Sequence, residues 1–240
     1  MAGGTEEERK APRNKRDGIH REVYAMITKP TFDFLMEVMK DNGLLGSGTT
    51  MCELGNQHIR VPGIGYTVAK QYFKSLGFHH ASIDMNGLNG AIRLDLSKVL
   101  ALPGTSDIVT NFGTSEHIPN QPVVFENIHN LCCVGGIMIH AVPLVGNWEN
   151  HGDYYYTTRF FVNLTSLNGY EIVRIVVIDG EETPGTKLVC ASLEKRQDTK
   201  FIWDARGLEH TPVGLTTRLY SMVNTPYQNL IYRLKKEGWI

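Results

Sequence analysis

The stretch Thr50-Met51-Cys52-Glu53-Leu54-Gly55 decides how the rest of the chain is read. A short apolar run that closes on an acid and a glycine is the pattern of a buried strand entering a tight turn. Beyond Gly55 the chain alternates between helical and strand patterns. Residues 66–76 have helical spacing, with Val68, Ala69, Tyr72 and Phe73 on one face and Gly77 as the stop. Ala81-Ser82-Ile83 is the next strand and closes on Asp84. Ile92-Arg93-Leu94 closes on Asp95, and Asp107-Ile108-Val109-Thr110 closes on Asn111. A helix is expected over 122–131, with Asn120 as its cap and proline in its first turn. Gly136-Ile137-Met138-Ile139 is a fifth strand and ends at His140.

Strands alternating with helices at this spacing imply right-handed βαβ units and a parallel sheet. The pattern changes at its end. Residues 170–178 and 187–193 are two β-rich runs joined through Asp179-Gly180 and Gly185 with no helix between them, so the last strand returns antiparallel. The expected fold is α/β: a doubly wound, mostly parallel seven-stranded sheet with an antiparallel last strand and helices on both faces.

This core is assigned to 49–195. Residues 1–18 carry many charges and few large apolar groups, so they are expected to be a disordered charged tail. Residues 19–48 are expected to be a helical cover: Thr31 caps a helix whose apolar face is Leu35, Val38 and Met39, and Asn42-Gly43 ends it. Residues 196–240 are expected to form an accessory segment packed on the core, with one or two helices over 215–234. Twenty-four basic against 25 acidic residues, a net charge of −1, give no support for a nucleic-acid partner. No apolar run approaches the length of a membrane span, and the N-terminus has no apolar segment of a secretory signal. Cys52, Cys132, Cys133 and Cys190 fit neither a disulfide framework nor a zinc-finger spacing. A soluble cytoplasmic protein is expected.

In an open α/β sheet, ligands sit beyond the carboxyl ends of the strands. The residues there are Glu53 and Gly55, Asp84, Asp95, Asn111 and His140. Any one acid at a strand end can simply cap the next turn, but three at equivalent topological positions point to a ligand. Asp84 is the sharpest of them, because a carboxylate after the second strand accepts from both ribose hydroxyls and repels a 2′-phosphate.

Taken in order, these pieces resemble the class I (Rossmann-like) methyltransferases that use S-adenosylmethionine (SAM). The matching residues are Cys52-Glu53-Leu54-Gly55, Ile83-Asp84, Leu94-Asp95-Leu96, Asp107 to Gly113 with Ser115-Glu116-His117, and Val134-Gly135-Gly136-Ile137-Met138. Gly169-Tyr170-Glu171-Ile172-Val173 and the final hairpin complete the set. The family usually follows its first glycine with others close by, whereas Gly55 here is followed by Asn56, Gln57 and His58. That departure weighs more heavily against a dinucleotide, whose pyrophosphate needs a glycine-rich turn.

The resemblance implies SAM as cofactor and a site residue by residue. Gly55 lets the backbone approach the ligand, flanked by Leu54. Glu53, with Asn56 nearby, binds the methionine ammonium or orients the loop. Asp84 holds the ribose with Met85 against the adenine, Asp95 and Leu96 flank the adenine, and Asn111 and Phe112 line the floor near the sulfonium.

Methyl transfer needs alignment and sometimes a base, a task that suits histidine. His117 is the first candidate, then His140, with His151 in the aromatic run Trp148-Glu149-Asn150-His151-Gly152-Asp153-Tyr154-Tyr155-Tyr156 that covers the acceptor. Their spacing, with Glu116 or Asp153 alongside, is not a recognised metal motif, and no metal is expected. The expected activity is methyl transfer to a small-molecule oxygen or nitrogen acceptor. The alternatives are a non-catalytic binding module on the same fold and, behind it, a nicotinamide-dependent oxidoreductase.

Overall fold

The computed structural model describes residues 26–148, 151–181 and 185–210. The expectations for 1–18, for Glu149 and Asn150 and for 215–234 fall outside the described residues. The chain opens with β1 (Met26–Thr28), α1 (Lys29–Asp41), β2 (Thr50–Leu54), β3 (His58–Val61) and β4 (Gly65–Val68). It continues with α2 (Ala69–Ser75), β5 (His79–Ile83), β6 (Ser106–Phe112), α3 (Gln121–Leu131) and β7 (Cys132–Pro143). The last elements are β8 (Tyr154–Tyr156), α4 (Thr158–Asn168), β9 (Tyr170–Asp179), β10 (Lys187–Lys195) and β11 (Leu208–His210).

Six strands make the main sheet in the order β5-β2-β6-β7-β10-β9. β5, β2, β6 and β7 are parallel, and β10 runs antiparallel to both its neighbours, as the hairpin requires. The seventh strand expected at 92–94 is reduced to one parallel bridge, Ile92 to Ile83. The reason is local. A turn at Leu88–Gly90 delivers the chain late to the sheet edge, and Asp95 then folds back on Ser97.

The alternation of side chains along each strand builds two cores. Met51, Ile108, Ile137, Ile139 and Cys190 face one way and bury Leu35, Val38, Met39 of α1 and Phe73 of α2. Cys52, Leu54, Val109, Met138 and Val189 face the other and bury Phe125 and Ile128 of α3 with Phe160, Phe161 and Leu164 of α4. Helices thus cover both faces. Burial pushes the thiols of Cys52, Cys132 and Cys190 up to about 12, so none is an available nucleophile near neutrality.

Near the N-terminal side of the sheet the elements differ from the sequence reading. α1 starts at Lys29, two residues before Thr31, whose hydroxyl instead accepts from Thr28 N at 3.0 Å. The helix expected over 66–76 begins only at Ala69, because Tyr66, Thr67 and Val68 pair with β3 as β4. Aromatic and β-branched residues suit that pleated surface. This hairpin is an excursion: Ala69 N donates to Gln57 O at 3.0 Å, so α2 starts beside the residue where the detour began. β1, unforeseen, pairs parallel with β3 and ties the start of α1 to the hairpin. Among the described residues, no helix is long and apolar enough to cross a membrane.

Candidate cofactor and acceptor site

A crevice of about 590 Å³ opens at the carboxyl ends of β2, β5 and β6. Its first wall is the turn after β2. Gly55 sits at φ +85°, and a Cβ there would fall 2.7 Å from Thr114 Oγ1 and 2.8 Å from Gln57 Nε2. Only glycine fits that backbone and that space. Gln57 holds the turn closed: its Nε2 lies 2.7 Å from Phe112 O, 3.2 Å from Leu54 O and 3.2 Å from Thr114 Oγ1. Glu53 braces the turn from behind, accepting from Gln57 N at 3.0 Å. Its other oxygen is 3.5 Å from Nε2 of the equally buried His80. Burial pushes the Glu53 carboxyl up, and the His80 and Gln57 contacts partly counter that. Glu53 and Leu54 are fully buried and do not line the crevice.

Gly55, Asn56, Asp84, Met85, Asp95, Leu96 and Phe112 do line it. Asp84 accepts from Asn56 N and from Asn86 N, each at 2.8 Å, one bond to each oxygen. It caps its own turn and the β2 turn together, and each oxygen keeps a lone pair for a hydroxyl. Asp95 spends one oxygen on Ser97, whose hydroxyl and amide hold the carboxyl below the usual carboxylate range. Asn56 Nδ2 is buried and donates to nothing, at a wall of the crevice. An orphaned donor there, at the wall of a crevice of this size, is what a polar ligand would complete.

Asn111 faces the opposite side of β6 from Phe112. Its amide donates to Ser115 Oγ at 2.8 Å and accepts from Ser115 N at 3.0 Å, so it shapes the next turn and stays out of the crevice. His140 is also outside it. The ring is 1 % exposed, stacks on Phe125, leans on Phe161 and meets Asn111 Nδ2 at 3.2 Å. Burial lowers its pKa to about 3, which keeps it neutral at working pH. As placed, it is a core histidine.

The far wall holds Glu116, His117, Trp148 and His151. A single turn, Ser115–His117, presents Glu116 with its side chain 1 % exposed. His151 Nε2 lies 3.5 Å and His117 Nε2 4.0 Å from Glu116 Oε1. The two imidazoles sit 5.1 Å apart, and Trp148 packs 4.6 Å from the His151 ring. Thus the structure brings His117 and His151 together and leaves His140 in the core between β7 and the helices α3 and α4. The sequence reading missed Gln57 and the roof from Met26, Thr28 and Thr31. No spacing rule marks a glutamine two residues beyond a glycine, and β1 is too short to announce itself.

No protein-family model matches the chain, and no curated protein does. Solved structures match through shape. A putative SAM-dependent methyltransferase from Listeria monocytogenes superposes with a TM-score of 0.50 and 14 % identity, over 69 % of this chain and 96 % of that one. The 1,6-didemethyltoxoflavin-N1-methyltransferase of Burkholderia thailandensis gives 0.49 and 14 %, over 70 % and 83 %. NodS, an N-methyltransferase from Bradyrhizobium japonicum, gives 0.48 and 10 %, over 69 % and 96 %. The chain has the class I, Rossmann-like fold of SAM-dependent methyltransferases.

Proposed function

We propose that the protein transfers a methyl group from SAM to an oxygen or nitrogen of a small molecule. The observation that carries this reading is one crevice with two chemically distinct ends: acids and an orphaned amide beside Gly55, and two histidines over a buried glutamate opposite. Its volume suits a cofactor and a compact acceptor.

SAM would supply an electrophilic methyl on a sulfonium. The chain's own residues do the rest. Asp84 accepts the ribose hydroxyls, Asp95 accepts from the adenine amine with its free oxygen, and Met85 and Leu96 cover the ring. Asn56 Nδ2 donates to the amino-acid end, over a turn that Glu53 and Gln57 keep rigid. Phe112 and Trp148 exclude water between the two ends. His117 and His151 orient the acceptor and polarise or remove its proton as its lone pair attacks. A dinucleotide suits the site less well. Gly55 leads into a hairpin and not a helix, and the first free amide of α2 is already bonded to Gln57 O.

The test is incubation of the full chain with methyl-labelled SAM and fractionated metabolite pools. Label should move to a small molecule, and His117→Ala and His151→Ala should slow that transfer while binding of S-adenosylhomocysteine (SAH) stays unchanged. Full turnover in both variants would remove the histidines from the mechanism, and absence of transfer to any pool would favour a non-catalytic module.

A further inference from the structure

Glu116 is a buried carboxyl with neither oxygen accepting a hydrogen bond. Burying such a group without a partner is costly, so something that the protein side chains do not provide should complete it. Two imidazole nitrogens face it, and the three potential ligand atoms lie within 4.8 Å of one another. From this we infer that Glu116, His117 and His151 bind a divalent transition-metal ion at the acceptor end of the crevice.

The arrangement is held from two directions. Asn111 and Gln121 fix the turn that carries Glu116 and His117: Ser115 N donates to Asn111 Oδ1 at 3.0 Å, and Gln121 Nε2 donates to Ser115 O at 2.6 Å. The segment carrying His151 is laid onto Glu116 itself, with Asp153 N donating to Glu116 O at 2.9 Å. Gly152 makes that approach possible, since a Cβ there would lie 2.9 Å from Glu116 Cγ. The His151 backbone N–H donates to the Tyr155 hydroxyl at 3.2 Å. Two segments distant in sequence are thus fastened so that their side chains converge on one carboxyl group.

Around an ion with bonds of ~2.0–2.2 Å, neighbouring ligand atoms stand roughly 3 to 3.5 Å apart. The Glu116–His151 separation of 3.5 Å is there already, the half-exposed His117 stands at 4.0 Å, and all three ligand atoms lie within 4.8 Å of one another. Two imidazoles and one carboxylate select zinc, cobalt, manganese or iron over magnesium and calcium, which prefer all-oxygen sets. All three residues line the crevice, so three ligands leave coordination positions for an acceptor. Resting on the methyl-transfer reading, the ion takes over proton handling from His117 and His151, whose Nε2 lone pairs it occupies, and the acceptor class is then a hydroxyl compound. Its proton passes to solvent as the metal lowers its pKa, the oxygen bonds the methyl carbon, and the carbon–sulfur pair returns to sulfur.

The test uses chelator-treated, tag-free full chain titrated with Co²⁺ by visible absorption, with Zn²⁺ in competition and SAH calorimetry on the same samples. One equivalent of Co²⁺ should bind with ligand-field bands. His151→Ala and Glu116→Gln should each lower affinity by ~100-fold or more, beyond the cost of losing an outer-shell partner. Circular dichroism checks that Glu116→Gln folds, and the more exposed His151→Ala serves if it does not. Absence of saturable Co²⁺ binding, or binding unaltered in both His117→Ala and His151→Ala, overturns the inference. SAH binding without metal binding sinks this site and spares the methyl-transfer reading; metal binding without SAH binding does the reverse.

Discussion

Gly55→Ala and Gly63→Ala place the same methyl group on nearly the same backbone, at φ +85° and φ +88°. Their surroundings differ. Nothing lies within 4 Å of a Cβ at Gly63, whereas at Gly55 it would meet Thr114 Oγ1 at 2.7 Å and Gln57 Nε2 at 2.8 Å. The left-handed conformation costs a non-glycine residue about 1–2 kcal/mol, and Gly63→Ala should cost no more than that. Gly55→Ala adds displacement of the Gln57 amide from Phe112 O, Leu54 O and Thr114 Oγ1. Neutral hydrogen bonds contribute ~1 kcal/mol each, so the second variant should lose about 2–3 kcal/mol beyond the first. Urea denaturation of both variants measures the difference, and calorimetry with SAH measures its consequence. Gly63→Ala should bind SAH like the parent, and Gly55→Ala should bind it at least ~10-fold more weakly, as the corresponding ~1.4 kcal/mol requires. If the two variants are equally stable and equally competent, the Gln57 staple does not shape the site and the account of this turn is wrong.

Acid should destabilise the protein through His140. Its pKa lies near 3 when folded and at its ordinary value of about 6.5 when unfolded, so the unfolded chain binds the extra proton between those limits. Its stability contribution is complete above pH 6.5 and falls by ~1.4 kcal/mol per unit below it, or about 2 kcal/mol by pH 5. His129, lowered by burial and by Lys195, adds in the same direction. Denaturation midpoints for His140→Gln should fall less steeply from pH 7 to 5 than those of the parent; equal slopes would contradict the placement of this ring. Gly152→Ala should push the His151 segment off Glu116, because its Cβ would stand 2.9 Å from Glu116 Cγ and 3.1 Å from Glu116 O. Misplacement by about an ångström costs ~100-fold in rate, so turnover should drop by that order with SAH affinity unchanged. A variant with parental turnover would take His151 out of the acceptor site.

The sheet is legible in the sequence because its physics is local. Each parallel strand is a short apolar run closing on a polar residue, and the Asp179–Gly180 turn announces the antiparallel return. The carboxyl-end rule then locates Gly55, Asp84 and Asp95 on the crevice without a structure, and the family resemblance adds Phe112. It cannot sort residues by face. Asn111 and Phe112 are neighbours in sequence and point to opposite sides of β6, and His140 shares the Asn111 side. One residue of parity separates a site from a core. α4 escapes the sequence reading although Thr157 caps it, Phe160, Phe161 and Leu164 stripe it, and Gly169 ends it at φ +63°. The second strand of the β3–β4 hairpin reads as helix because apolar residues at 66–73 satisfy both periods over so short a run. The convergence of His151 with Glu116 rests on contacts across 35 residues that no local pattern encodes.

Titration calorimetry of the full chain with SAH tests most directly whether the acids closing β5 and the Ile92 bridge, Asp84 and Asp95, converge on one adenosyl group. Saturable one-to-one binding is expected, weakened by ~100-fold in Asp84→Ala through loss of charge-assisted bonds worth about 1.5–3 kcal/mol each. NAD⁺ should give no heat. Heat from NAD⁺ but none from SAH, or SAH binding indifferent to Asp84→Ala, would contradict the account.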